Sequence, residues 1–180
     1  HAPMEPLNCV VKLSANRCEV WNGEQFHTAD QHAVAEVVGL KPEQVFIHQV
    51  FAGGSFGRRA SSMSDYVVEA AAIAKGMASA GKLDIPVKLV WTREDDMTGG
   101  YYRPAYLHTM SASLDAAGNA AGWQHRIVGQ SITEGTPIAA MTIKNGIDST
   151  SVEGAANLPY AIPNLAVELH TRSIGVEVLW

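Results

Sequence analysis

The chain is 180 residues long, 47% apolar and only 17% charged, with 13 basic against 18 acidic residues and a net charge of −5. So apolar a composition excludes a disordered tail, and the acidic balance without a basic block excludes a nucleic-acid face. The charged fraction lies below the roughly 25% usual for a free-standing domain, and no apolar run approaches the ~20 residues of a membrane span.

In chain order, Val10–Leu13 and Cys18–Trp21 are β-rich, with Asn16 supplying turn chemistry between them. Thr28-Ala29-Asp30-Gln31 has the spacing of a capping box and opens a predicted helix with Ala33, Val34, Val37 and Val38 on one apolar face. Gly39 suits the position just past that helix, and Pro42 follows. Val45–Phe51 is a predicted strand. Asp65–Ala80 is a predicted alanine-rich helix, apolar around most of its circumference and therefore expected to be sandwiched. Pro86–Thr92 reads as a further buried strand, and Glu94-Asp95-Asp96 as a solvated turn or helix start. Pro104–Leu114 and Trp123–Ser131 bracket Asp115–Asn119 as a hairpin with a longer loop, and Leu165–Thr171 and Val176–Trp180 read as late strands. Strands and helices mix without strict alternation, which predicts an α+β fold with a mixed sheet and packed helices.

The two cysteines, Cys9 and Cys18, make neither a disulfide framework nor a metal site and read as small buried side chains. His27, His32, His48 and His108 lack metal-ligand spacing and read as surface or strand residues. The chain opens His1-Ala2-Pro3-Met4-Glu5-Pro6 and closes on a strand-like run, so it is expected to be one segment, 1–180, of a longer domain, truncated at both ends.

The densest chemistry lies in Gly53-Gly54-Ser55-Phe56-Gly57-Arg58-Arg59, between a predicted strand and a predicted helix. Glycines let backbone amides approach an anion, and two arginines offer charge-assisted bonds to phosphate. The spacing matches neither G-x-G-x-x-G nor a P-loop. A nucleotide-binding or non-catalytic interaction domain that grips phosphate with Gly53–Gly57 is therefore one reading. A large apolar residue between glycines is poor turn chemistry, so Phe56 is expected to pack against something.

This loop resembles the Gly-Gly-x-Phe-Gly loop of the molybdenum hydroxylases, the family of xanthine dehydrogenases and aldehyde oxidoreductases. Trp21-Asn22-Gly23-Glu24-Gln25 is similar to the family stretch ending in a glutamine that lies 31 residues before the loop phenylalanine, the interval from Gln25 to Phe56. His1–Cys9, Trp91–Met97, Arg103-Pro104 and Pro159–Asn164 match further family segments in order, so the resemblance covers essentially the whole chain. Arg58-Arg59 in place of Gly-Lys, with Met4-Glu5-Pro6-Leu7-Asn8-Cys9, points to the isoquinoline 1-oxidoreductase β-subunit branch.

The resemblance implies a molybdenum cofactor held through its molybdopterin, in the cytosine dinucleotide form, with no side chain ligating the metal. Gln25 would donate from its amide to an oxygen or sulfur ligand of the metal, Phe56 would pack at the substrate pocket, and Gly53, Gly54, Ser55 and Gly57 would line the cofactor. Arg58 and Arg59 would stand within reach of its phosphates. From the residues alone, Gln25 reads equally as an exposed polar residue before a helix. The implied reaction hydroxylates a carbon of an aromatic or aldehyde substrate with oxygen from water, and electrons leave through 2Fe-2S clusters on a small partner subunit. The family's base lies in a Gly-x-Gly-Glu segment that does not occur here, so this segment alone is expected to be inactive. Ala60 and Ala166 stand where purine-oxidising relatives carry a glutamate and an arginine, which favours a less polar substrate.

Overall fold

Cys9, Val11 and Leu13 are buried and alternate with half-buried Asn8, Val10 and Lys12, the period of two that a strand covered on one face requires. In the computed structural model, which describes residues 2–179, these residues form β1 (Asn8–Leu13). The order continues β2 (Cys18–Asn22), α1 (His27–Val38), a 3₁₀ turn (Pro42–Gln44), β3 (Val45–Gln49), α2 (Asp65–Ser79), β4 (Val87–Val90) and α3 (Arg93–Thr98). Then follow β5 (Tyr106–Leu114), β6 (Ala120–Gly129), α4 (Ala139–Thr142), β7 (Ile143–Lys144), β8 (Ile147–Asp148), α5 (Ser149–Val152) and β9 (Asn164–Thr171). The fold is α+β and divides into two compact units, His1–Gly100 and Tyr101–Trp180.

The first unit is a four-stranded mixed sheet, ordered β3-β2-β1-β4, in which only the β2–β3 pair is parallel. α1 supplies the crossover that a parallel pair needs. The core joins Leu7, Cys9, Val11, Cys18, Val20 and Val45 of the sheet side to Val34 and Ala35 of α1 and Tyr66, Val67, Ala70, Ala71 and Ala74 of α2. The small alanines let α2 lie close to both β1 and α1, and this burial of apolar surface is the main stabilising term. Gly39 ends α1 in the left-handed conformation at φ +79°, as its position suggested.

Four expectations are corrected. α2 buries one face only, and Ile73 on its other side is exposed. β4 is an edge strand paired only with β1, so its residues alternate between half-buried and exposed. Thr28 does not cap α1, which starts at His27 behind Phe26 and has no side-chain cap. Within 176–179, Val178 makes one isolated bridge to Tyr102 and no strand forms. Trp180, the end of that predicted strand, and His1, the start of the opening segment, lie outside the described residues. By contrast Thr92 does cap α3 and accepts from the amide of Asp95, whose carboxylate takes the Thr92 amide in return.

The second unit is a three-stranded sheet, β5-β6-β9. β5 and β6 form the predicted hairpin, and β9 returns parallel to β6. Asp148 is the polar centre of the connection, accepting from the hydroxyls of Ser131, Thr133 and Thr150. Among the described residues, no helix is long and apolar enough to cross a membrane.

Candidate cofactor-facing site

The glycine loop leaves β3 at Gln49 and reaches α2 at Asp65, and it is fastened from several sides. The amide of Met4 donates to the Gly54 carbonyl at 2.8 Å, and the amide of Gly53 donates to Glu5 Oε2 at 2.6 Å. Gly53 is needed for this approach, because a Cβ there would stand 3.0 Å from Glu5 Cβ. Gly54 sits at φ +93°, and Phe56 at φ +53°, a left-handed conformation that costs a non-glycine residue of order 1 kcal/mol or more. Glu5 also accepts from Asn8 and lies 3.5 Å from Arg59 Nη2. The Gly53 amide, then Asn8, hold its carboxyl below the ordinary range.

Arg58 and Arg59 are each 2% exposed, and their side chains turn inward. Arg58 makes a bidentate pair with Asp65 at the start of α2. Arg59 donates to Asn22 Oδ1 at 3.0 Å and to the Asn8 carbonyl at 3.3 Å. Asn22 completes a buried triad with Tyr66, whose hydroxyl both donates to Oδ1 and accepts from Nδ2. Burial pushes the Tyr66 hydroxyl well above its usual range. The two arginines thus brace the loop against β2 and α2 from beneath.

Gln25 lies between β2 and α1, exposed, at the opposite flank of the loop. Its amide donates to the Arg59 carbonyl at 3.4 Å, and Ser55 Oγ donates to its side-chain Oε1 at 2.9 Å. With Oε1 accepting from Ser55 and the residue exposed, the Nε2 group can donate to an outside acceptor. Phe56 is 58% exposed, and its ring tip and the Met4 side chain both come within 4 Å of where a Gly54 Cβ would be. Phe51 is fully exposed on the approach to the loop. The structure therefore gathers Gln25, Ser55, Phe56 and the glycines on one surface and keeps the arginine side chains below it.

Two buried carboxylates behind this surface were not among the residues singled out from sequence. Glu24 precedes Gln25 and points inward, and Asp30 sits in the first turn of α1. Asp30 falls four residues before the core residue Val34, so the apolar face of α1 already marked it as inward. Glu5, which is half-buried, was likewise quoted from sequence only within a matching segment.

Backbone amides beside an apolar rim, with an oriented neutral carboxamide, have the chemistry to receive an anionic, oxygen- or sulfur-bearing group. The sequence identifies which: over residues 1–172 it matches the molybdopterin cofactor-binding domain, and the chain belongs to that family. It is 34% identical over 114 residues, 63% of its length, to the isoquinoline 1-oxidoreductase subunit beta of Brevundimonas diminuta. It is 27% identical over 158 residues, 81% of its length, to a membrane-bound aldehyde dehydrogenase (pyrroloquinoline-quinone) of Gluconacetobacter polyoxogenes. The chain spans 14% and 20% of the lengths of these two relatives. Among solved structures, the aldehyde oxidoreductase of Desulfovibrio gigas shares the fold at a TM-score of 0.66 and 18% identity, over 99% of this chain and 18% of that one.

The residues present fit such a cofactor. Among the described residues, the amides of Gly54, Ser55 and Gly57 donate to no protein acceptor. No cluster of three or more His, Cys, Asp or Glu among the described residues is placed to hold a metal ion.

Proposed function

We propose that this chain is the cofactor-binding segment of the large subunit of a molybdenum-dependent hydroxylase of the isoquinoline 1-oxidoreductase type. It acts on a C–H bond of an N-heteroaromatic or aldehyde substrate. The observation that carries the reading is the Gln25 carboxamide, held through Oε1 by Ser55 so that Nε2 faces out beside the glycine loop. When bound, the molybdenum cofactor supplies the two-electron oxidation and the oxygen derived from water.

In this reading the amides of Gly54, Ser55 and Gly57 hold the molybdopterin, in its cytosine dinucleotide form. Gln25 donates to a terminal oxygen or sulfur, which a neutral amide does without altering the charge of the site. Phe56 with Phe51 and Met4 forms an apolar wall for a flat substrate. Arg58 and Arg59 keep the loop in register through Asp65 and Asn22. Ala60, just past the loop, offers no charge to a polar purine, in keeping with a less polar substrate. The general base, the 2Fe-2S clusters of a small partner subunit and the rest of the large subunit come from outside this segment, which alone is inactive.

Metal and pterin analysis of the intact protein tests this. One molybdenum and one pterin dinucleotide per large subunit support it, and a protein that carries pyrroloquinoline quinone or NAD instead overturns it. In the intact enzyme, Gln25→Ala lowers turnover while molybdenum content holds. Loss of the cofactor would make Gln25 a binding residue.

A further inference from the structure

Glu24 and Asp30 are 5% and 2% exposed and within hydrogen-bonding reach of one another; Glu24 Oε1 faces His27 Nδ1, while Glu24 Oε2 and Asp30 Oδ2 have no donor among the described residues. Two ionised carboxylates in that position offer only acceptors to each other, and the charged groups that act on Asp30, Glu24 and Asp65, are both acidic. A single proton resolves both problems, since a protonated carboxyl donates to its neighbour. We propose that Glu24 and Asp30 hold one proton between them and form a positioning pair that fixes Gln25 beside the glycine loop.

The placement supports this. Glu24 is bonded directly to Gln25, and Asp30 belongs to the first turn of α1 and accepts from Ser64, immediately before α2. The shared proton therefore ties the chain before Gln25 to both helices of the core layer, including the point where the glycine-loop segment ends. His27, at the start of α1, has Nδ1 2.7 Å from Glu24 Oε1, and Asp65 and Tyr66 face it from α2. Arg59 comes from the loop segment and Cys9 from β1. Arg59 bonds outward to Asn22 and Asn8 and does not neutralise the pair. His27 is half-exposed and gives Glu24 a route to solvent.

Burial and the neighbouring Glu24 push the Asp30 carboxyl up to about 8. Its folded value is raised above the unfolded one, so the favourable contribution is complete below about pH 4 and is lost as pH rises through about 8. Above that point the two charges repel, and the segment bearing Gln25 loosens.

The role toward Gln25 rests on the proposed function, whereas the shared proton does not. Infrared spectroscopy of the intact protein, with and without cofactor, reads the proton directly. Expected is a protonated-carboxyl C=O absorption at pH 7 that shifts in D₂O and fades above about pH 8. Either Asp30→Asn or Glu24→Gln removes it, so one variant serves if the other does not fold. No such absorption, or one that survives in both variants, overturns the shared proton. In the loaded enzyme, kcat of the wild type falls on the alkaline side of about pH 8. Asp30→Asn, whose amide donates to Glu24 without a titratable proton, abolishes that fall and keeps the rate at pH 7, whereas Asp30→Ala abolishes it at a lower rate throughout. An alkaline limb unchanged by Asp30→Asn overturns the positioning role. A protein without molybdenum overturns the proposed function and leaves the infrared result to decide the pair.

Discussion

Ser55 Oγ and Gln25 Oε1 are 2.9 Å apart, joining two residues 30 positions distant in the chain across the mouth of the glycine loop. The bond determines which end of the Gln25 carboxamide is presented outward. Ser55→Ala frees the group to rotate and gives up one neutral hydrogen bond. The expected loss is about 3- to 10-fold in kcat, with molybdenum content unchanged. Steady-state kinetics with metal analysis on the same preparation checks it, and Ser55→Thr, which keeps the hydroxyl, recovers most of the rate.

Glu5 does the corresponding work on the other flank, where its carboxylate takes the Gly53 amide and faces Arg59. Its folded value is depressed, so its contribution is present above the unfolded pKa of about 4.3 and lost as pH falls through the folded value. Glu5→Gln is expected to lower cofactor occupancy and to weaken the acid-side dependence of thermal stability. Melting curves from pH 3 to about pH 6 measure the second effect, and wild-type slopes in the variant would refute it.

Arg58 is almost wholly buried and paired with Asp65. Asp65→Ala removes the carboxylate paired with a buried guanidinium and costs about 3 kcal/mol or more. Arg58→Met combined with Asp65→Leu is expected to cost less than Asp65→Ala alone. Chemical denaturation monitored at Trp91, whose ring lies 5.7 Å from the Arg58 guanidinium, follows the change at the pair itself.

Cys9 and Cys18 are buried, and burial pushes their thiols up to about 12 and about 11. Little thiolate exists at pH 8, so neither is expected to react with iodoacetamide in the native protein, and both react in denaturant. Peptide mapping by mass spectrometry resolves the two sites, and rapid native labelling of either contradicts the packing.

Asn22 is the acceptor shared by Arg59 and Tyr66. Asn22→Ala removes the hydrogen bond of a buried cation and is expected to destabilise by about 2–3 kcal/mol. Tyr66→Phe, which leaves the Arg59 bond intact, costs less. The two variants compared in urea separate these contributions.

Much of the first unit could be read from local chemistry. The β-rich runs around Asn16, the glycine after α1 and the glycine loop itself depend on residue type and near neighbours. The start of α1 could not, because Asp30 takes its donor from Ser64, far along the chain, and Thr28 is left inside the helix without a capping bond. The inward turn of Arg58 and Arg59 was hidden for a related reason: Asp65 lies seven residues on and Asn22 thirty-seven back, so spacing cannot report either partner. Similarly, the apolar look of Asp65–Ala80 records a need for small side chains where α2 meets β1 and α1, not cover on both sides.

The strand order β3-β2-β1-β4 also governs how the segment is made. β1 emerges from the ribosome early, yet its partner on one edge is β4, with Asn8 opposite Val90. At about 5–20 residues per second, that edge waits several seconds for its partner. During this interval the Met4–Glu5 strap has no glycine loop to hold, and the apolar side of β1 has no α2 above it. The sheet is thus complete only once β4 has been made, and a nascent chain released before β4 would expose an unpaired edge of β1 to another copy.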